Sequence, residues 1–287
     1  MSETPAPANS AAKYYLVSIA VLAACGVLLC AEQLRATTIP VRHVEGVTHG
    51  FLIMRDTSGR AVAFGDMIQD TKHGRVSSRL TFHFKDGSLY DDTTIYSEHG
   101  AFRVLSDHLI EKGPSFKQPM ETWVDATKSI FTARSFDKGK EKDVSQKLKI
   151  PRDLANGILY VVVKNIDPKA TSTTVSMVVG TPKPRVVKVV ISPVGEERFL
   201  VGDMNRTAIH YVMKIDIGGV AGVIAPVIGK QPANTDIWIA SDGMPTFLKS
   251  QGPLYDQGPI WTIELILPSW PKKSDENSQQ HPSTEKQ

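Results

Sequence analysis

The chain reads as a mainly β protein, an antiparallel half-open barrel or curved sheet with one helix, preceded by a hydrophobic helix near the N-terminus. Three observations predict this. Apolar residues alternate with polar ones over short runs: in Arg79-Leu-Thr-Phe-His-Phe84, Leu80, Phe82 and Phe84 share one face while Thr81 and His83 take the other. Glycine, proline and aspartate interrupt these runs at strand spacing. The connections are shorter than the crossover of a dozen or more residues that a parallel pair needs, so sequence neighbours pair antiparallel as a meander.

Residues 1–13, MSETPAPANSAAK, are small, polar and proline-containing and read as disordered. Tyr14–Ala31 is an uncharged apolar run of eighteen residues. As a helix it is about 27 Å long against a bilayer core of roughly 30 Å, and it reads as a signal or membrane anchor. Three fates compete. A cleaved signal would be cut after Ala31, with bulky Leu29 standing against it two residues upstream. A lipid anchor would use Cys25, because Leu22-Ala23-Ala24-Cys25 resembles the lipobox of bacterial lipoproteins, although apolar Gly26–Cys30 follows it. A retained single-pass anchor is short for its task, and its flanking basic residues Lys13, Arg35 and Arg42 are balanced.

Residues 32–48 read as a linker, 49–270 as one β-rich envelope domain and 271–287 as a disordered polar tail. Both cysteines, Cys25 and Cys30, lie in the apolar run, so the domain holds neither a disulfide nor a thiolate metal site. A net charge of +3 on 287 residues gives no footprint for nucleic acid.

Within the domain, Phe51–Met54 leads through the turn Asp56-Thr-Ser-Gly59 to Ala61–Phe64, and Gly65-Asp66 reads as a break before Arg79–Phe84. Lys85-Asp86-Gly87-Ser88 supplies a tight hairpin, since glycine tolerates positive φ. Leu89–Tyr96 returns, and Ala101–Ile110 follows the turn Glu98-His99-Gly100. Met120–Val124 and Ile130–Phe136 flank Asp125-Ala-Thr-Lys128, and the lysine-rich turn Asp137–Lys142 leads to Val144–Ile150. Pro151–Asn165 reads as the helix, a plug or lid on the sheet. Proline and aspartate suit its first turn, and Leu154, Ile158, Val161 and Val162 share one face, although the β-branched run Val161–Val163 speaks for a strand. Ser172–Val179, Arg185–Pro193, Glu197–Val201, Ala208–Ile217, Ile237–Ala240, Thr246–Gln251 and Trp261–Leu267 resume the strands. Gly218–Gly229, broken by glycines and Pro226, reads as an apolar loop or a short helix.

Catalytic patterns are sparse. None of the eight histidines makes a His-x-x-x-His or His-x-x-Glu-His spacing, and His43, His49, His99 and His108 read as exposed strand ends and turns rather than metal ligands. Asp91-Asp92 and Glu196-Glu197 are adjacent in sequence, so on strands they point to opposite faces and are badly placed to share a proton. No Gly-x-Ser-x-Gly elbow occurs, and no cofactor is implied.

A dozen or so antiparallel strands with one helix resemble the half-open β-barrels of the bacterial envelope that include the LolA and LolB lipoprotein carriers. HGFLIMRDTSGR, LTFHFKDGSLYDD, HLIEKGPSF and WTIELILPSWP are similar to secreted bacterial envelope proteins with no assigned activity, so no residue role carries over. The resemblance implies a concave apolar face that holds an acyl chain beneath a movable lid. The ligand-binding candidates are then Val220, Val223, Ile224, Val227 and Ile228 of the loop, Ile158 and Val162 of the helix, and Tyr255 and Trp261 at a rim. The expectation is a non-enzymatic protein on the periplasmic side of a bacterial envelope, anchored through residues 14–31 or secreted, that binds lipid or an acyl chain. Two alternatives stand beside it: an assembly subunit whose sheet edges pair with another envelope protein, and a hydrolase assembled across strands around His99, His108 or His210.

Overall fold

A computed structural model describes residues 38–137, 140–180, 183–201, 204–216 and 232–266. These form fourteen strands: β1 (Thr48–Arg55), β2 (Ala61–Lys72), β3 (Arg75–Phe84), β4 (Leu89–Ser97), β5 (Arg103–Lys112), β6 (Met120–Asp125), β7 (Ile130–Asp137), β8 (Lys140–Lys147), β9 (Thr173–Val179), β10 (Arg185–Val201), β11 (Met204–Asp216), β12 (Thr235–Ala240), β13 (Phe247–Pro253) and β14 (Ile260–Ile266). One helix, α1 (Leu159–Asn165), lies between β8 and β9. All strands belong to one antiparallel sheet in the order β8 to β1, then β14 to β9, so β1 and β14 join two meanders at the centre. The apolar run 14–31, the loop Gly218–Gly229 and the polar tail lie outside the described residues.

The sheet curls without closing, since β8 and β9 are its ends and do not pair. Its two ends come near each other: a Cβ on Gly180, just after β9, would stand 3.2 Å from the Phe131 ring of β7. Neither edge is a bare template. The Ala155 N–H donates to Ser176 O at 2.8 Å and the Ser176 N–H to Asp153 O at 3.0 Å, while the Asn156 amide bonds both backbone groups of Val178, so residues 153–156 cover β9. β8 carries Lys142 and Lys147, charges that discourage another strand from pairing there.

Register sets the faces. Leu52 and Met54 of β1, Phe82 of β3, Val124 of β6, Ile191 of β10, Ile237 of β12 and Ile263 of β14 all point inward and are buried in one core. Two rims follow from the strand directions. The lower rim holds the β2–β3 and β4–β5 turns and receives residues 38–47; Pro40 bridges Ala101 there, and the Phe102 N–H donates to Ile39 O at 3.1 Å. The upper rim holds the turns at Asp56–Arg60, Lys85–Ser88 and Tyr255–Pro259.

Three sequence expectations shift. Gly65 does not end a strand: it lies inside β2, where a Cβ would come 1.9 Å from Thr81 O, so the glycine serves close backbone approach. The helix is half the expected length. Asp153–Asn156 is engaged along β9 and Gly157 has φ +63°, so helical geometry begins only at Leu159. Residues 38–47, within the expected linker, are packed on the domain, with Ile39 and Glu45 buried.

Candidate functional site

The concave face of the sheet is filled by α1 and the segment before it. Ile158, Val161, Val162, Val163 and Ile166 are all buried in the core. The helix is two turns long, lacks a side-chain N-cap and is tied at its ends by polar bonds. At its C-terminal end, Asn165 Oδ1 accepts from the backbone N–H groups of Arg42 and His43, both at 2.8 Å. Lys164 Nζ reaches the Glu45 carboxylate at 2.7 Å, and both side chains are largely buried. At its N-terminal end, the Tyr160 hydroxyl meets Ser250 Oγ of β13 at 3.2 Å. The incoming strap 38–47 therefore holds the plug in place.

Beneath the plug lies a polar cluster on an otherwise apolar wall. Tyr90, Asp92, Thr94 and Tyr96 alternate along the inner face of β4, and Asp107 and Glu111 face them from β5. Asp107 stands diagonally across from Asp92, within hydrogen-bond reach of its carboxyl. Asp107 Oδ1 accepts from the Thr94 hydroxyl at 2.7 Å, and the Tyr90 hydroxyl points to Asp92 Oδ2 at 3.4 Å. Asp92 Oδ1 is buried with no donor. Two ionised carboxylates cannot bond each other; a proton on Asp92 supplies the missing donor and satisfies both. Burial, reinforced by the neighbouring Asp107 charge, holds the Asp92 carboxyl well above the usual carboxylate range, and burial raises Asp107 as well. Burial alone pushes Glu111 up to about 7. Gly157 presses against this cluster, since a Cβ there would meet Thr94 Oγ1 at 1.7 Å and Asp107 Oδ1 at 2.7 Å.

The upper rim is closed by aromatic rings. Trp261 lies 5.3 Å from Phe84 and 6.0 Å from Tyr255, Phe116 lies 5.4 Å from Tyr255, and the Tyr255 hydroxyl donates to Ser115 O at 2.9 Å. The structure thus brings two candidates, Tyr255 and Trp261, together at one rim and sets two others, Ile158 and Val162, in the plug. All four are occupied by packing in this conformation; Ile158, Val162 and Trp261 are buried and Tyr255 is half-buried. Val220, Val223, Ile224, Val227 and Ile228 lie outside the described residues, in the connection between Asp216 of β11 and Thr235 of β12, both of which end at the upper rim. Cys25 also lies outside them.

Two of the three histidines of the hydrolase reading, His108 and His210, face outward and bond carboxylates. His108 Nε2 meets Glu121 at 2.9 Å, and His210 meets Asp236 at 2.8 Å and Glu197 at 3.1 Å. Each stacks on the tryptophan directly across the ladder, His108 on Trp123 at 4.8 Å and His210 on Trp238 at 4.4 Å. A cation from the next strand covers each ring, Arg134 at 5.8 Å and Lys249 at 5.0 Å. These are cross-strand ladders of the outer wall.

Sequence reading sets Asp91 and Asp92 on opposite faces, and the ladder places them so: Asp91 points outward to Arg79 while Asp92 joins Asp107 inside. The available signal was the inward parity of Tyr90, Asp92, Thr94 and Tyr96, which leaves β4 without an aliphatic residue on its buried face. The part of Glu45 carried no signal, because its partner Lys164 is 119 residues away. No protein-family model matches the chain, and no curated protein matches it.

Proposed function

We propose that the chain is a non-enzymatic protein of the bacterial cell envelope that takes up an apolar ligand, a lipid or an acyl chain, in the concavity of its sheet. One observation carries the reading: the apolar inner face is filled by a two-turn segment of the chain held by polar ties, not by a second layer of sheet. Such a filling can leave and be replaced. Removing Ile158, Val161, Val162, Val163 and Ile166 from the core costs about 10 kcal/mol of apolar burial. An acyl chain of about 14 methylenes returns about 11 kcal/mol on the same scale, so exchange is near balance. The protonated form of the Glu111 carboxyl, favoured by its burial, would offer a donor to an ester or amide at the head of that chain.

Placement on the periplasmic side rests on the apolar run 14–31 and on a cysteine-free domain. Pairing of sheet edges with another envelope protein is the weaker reading, since β9 is covered by residues 153–156 and β8 is studded with lysine.

Native mass spectrometry of the full chain, gently extracted from its own membrane, tests the ligand. The expected result is a co-purifying lipid, lost or much reduced in Val162→Trp, which overfills the plug site. A ligand-free chain under conditions that retain lipid on a known carrier would refute the reading.

A further inference from the structure

Ten large hydrophobic residues are strongly exposed among the described residues, and their placement is uneven. Five of the six most exposed, Val44, Val47, Leu200, Met204 and Met244, range from 56% to 78% and belong to the lower rim, while Val194 lies at the β10 bulge, level with the β11–β12 ladder. The five come from three separate pieces of chain. Val44 and Val47 are on the incoming strap, and Met244 is in the β12–β13 turn. Leu200 and Met204 are on the tip of the β10–β11 hairpin, which runs past its neighbours: β9 pairs only as far as Ile191 and β12 only from Ala208. Exposed cations stand at the same rim, among them Arg75, Arg103, Lys147, Lys149 and Arg198.

We propose that the lower rim lies on the surface of a lipid bilayer, with these apolar tips inserted at the acyl boundary and the cations against anionic headgroups. The inference rests on the proposed envelope placement and on one of the three fates of the apolar run, residues 14–31 staying in the membrane. Given that, geometry supplies the occupant. Ala31 and Thr38 are seven residues apart, a reach of at most about 25 Å in any conformation, so the rim that receives Thr38 is held within a few headgroup depths of the bilayer. Apolar tips on separate pieces of chain, with basic residues between them, suit a lipid interface, whereas a protein partner selects one contiguous patch. The upper rim, with Tyr255 and Trp261, would then face away from the membrane, toward whatever delivers or receives the ligand.

The test uses the full chain in nanodiscs of phosphatidylethanolamine and phosphatidylglycerol. Cys25 and Cys30 are replaced by alanine, and a single fluorophore-bearing cysteine is placed in turn at Val44, Leu200 and Met244, with Ser58 and Lys117 of the upper rim as controls. Lipids spin-labelled near the headgroup should quench the three lower-rim positions several-fold more than the two controls, and Leu200→Glu with Met204→Glu should abolish the difference at Met244. Equal quenching at both rims in a chain that still floats with vesicles after carbonate washing overturns the docking and leaves the anchor standing. A chain that neither floats nor binds the vesicles overturns both. Shielding of the lower rim in cells but not in nanodiscs assigns it to a protein and overturns the lipid assignment.

Discussion

Asp92, Asp107 and Glu111 give the interior an unusual dependence on pH. Glu111 titrates up to about 7 in the fold, above its ordinary 4.5, and Asp92 is likewise raised. A carboxyl raised on folding binds its proton more tightly in the native state. Its contribution is whole below the unfolded value, and it is lost as pH rises through the folded one. Exposed turn carboxylates such as Asp56, lowered to about 2 by the Ser58 and Arg60 groups around it, act in the opposite sense but only in acid below about 4. Between pH 5 and 8 the buried group therefore dominates, at about 3 kcal/mol at most for Glu111. Thermal melts should show Tm falling by about 5–10 °C across that interval, and Glu111→Gln should flatten the fall. A Tm that rises from pH 5 to 8 would mean that these carboxyls are ionised in the fold. Asp92→Asn, which keeps a donor toward Asp107, should be tolerated, whereas Asp92→Ala should cost about 1–3 kcal/mol.

At the scale of elements, the strap, the loop before α1 and α1 itself act as one fastening. Glu45 and Lys164 are both largely shielded, so removing one partner leaves the other buried and unpaired. Lys164→Met should destabilise the domain by about 3 kcal/mol in denaturant titrations, and adding Glu45→Leu should recover a good part of that loss. A double variant no more stable than the single would show that the pair does not hold the strap. Gly157→Ala should be worse than an ordinary surface change by about 3 kcal/mol or more, because φ is +63° and the new methyl overlaps Thr94 Oγ1. Elements were legible to different degrees. Hairpins such as β3–β4 were readable because alternation and the Asp86-Gly87 turn agree. The lengths of α1 and β2 were not, because Gly157 and Gly65 answer to atoms of distant strands, Thr94 and Thr81. The single β10 was read as two strands, for its bulge at Pro193–Gly195 looks like a break when its partner β11 is unknown.

At the scale of the whole fold, the described residues form one curled sheet whose inside is closed by its own chain: α1 and the strap across the concavity, aromatic rings at the upper rim, residues 153–156 along the open edge. Mainly β character and antiparallel order were legible in periodicity and short connections. The interior cluster was legible only as far as parity sets Asp92 on the face of Tyr90 and Tyr96; its meeting with Asp107 depends on the β4–β5 register, shifted by a bulge at Ile95–Tyr96. The plug accounts for the burial of Ile158 and Val162, which under the proposed reading a ligand would replace. Hydrogen exchange of the full chain in detergent-free nanodiscs, before and after loading with a long-chain fatty acid or phospholipid, addresses that replacement. Amides of 159–165 should lose at least tenfold in protection on loading while those of β1, β2 and β14 stay unchanged. Amides of α1 that remain as protected as the central strands, with ligand present, would show that the helix is permanent core and that the concavity holds nothing else.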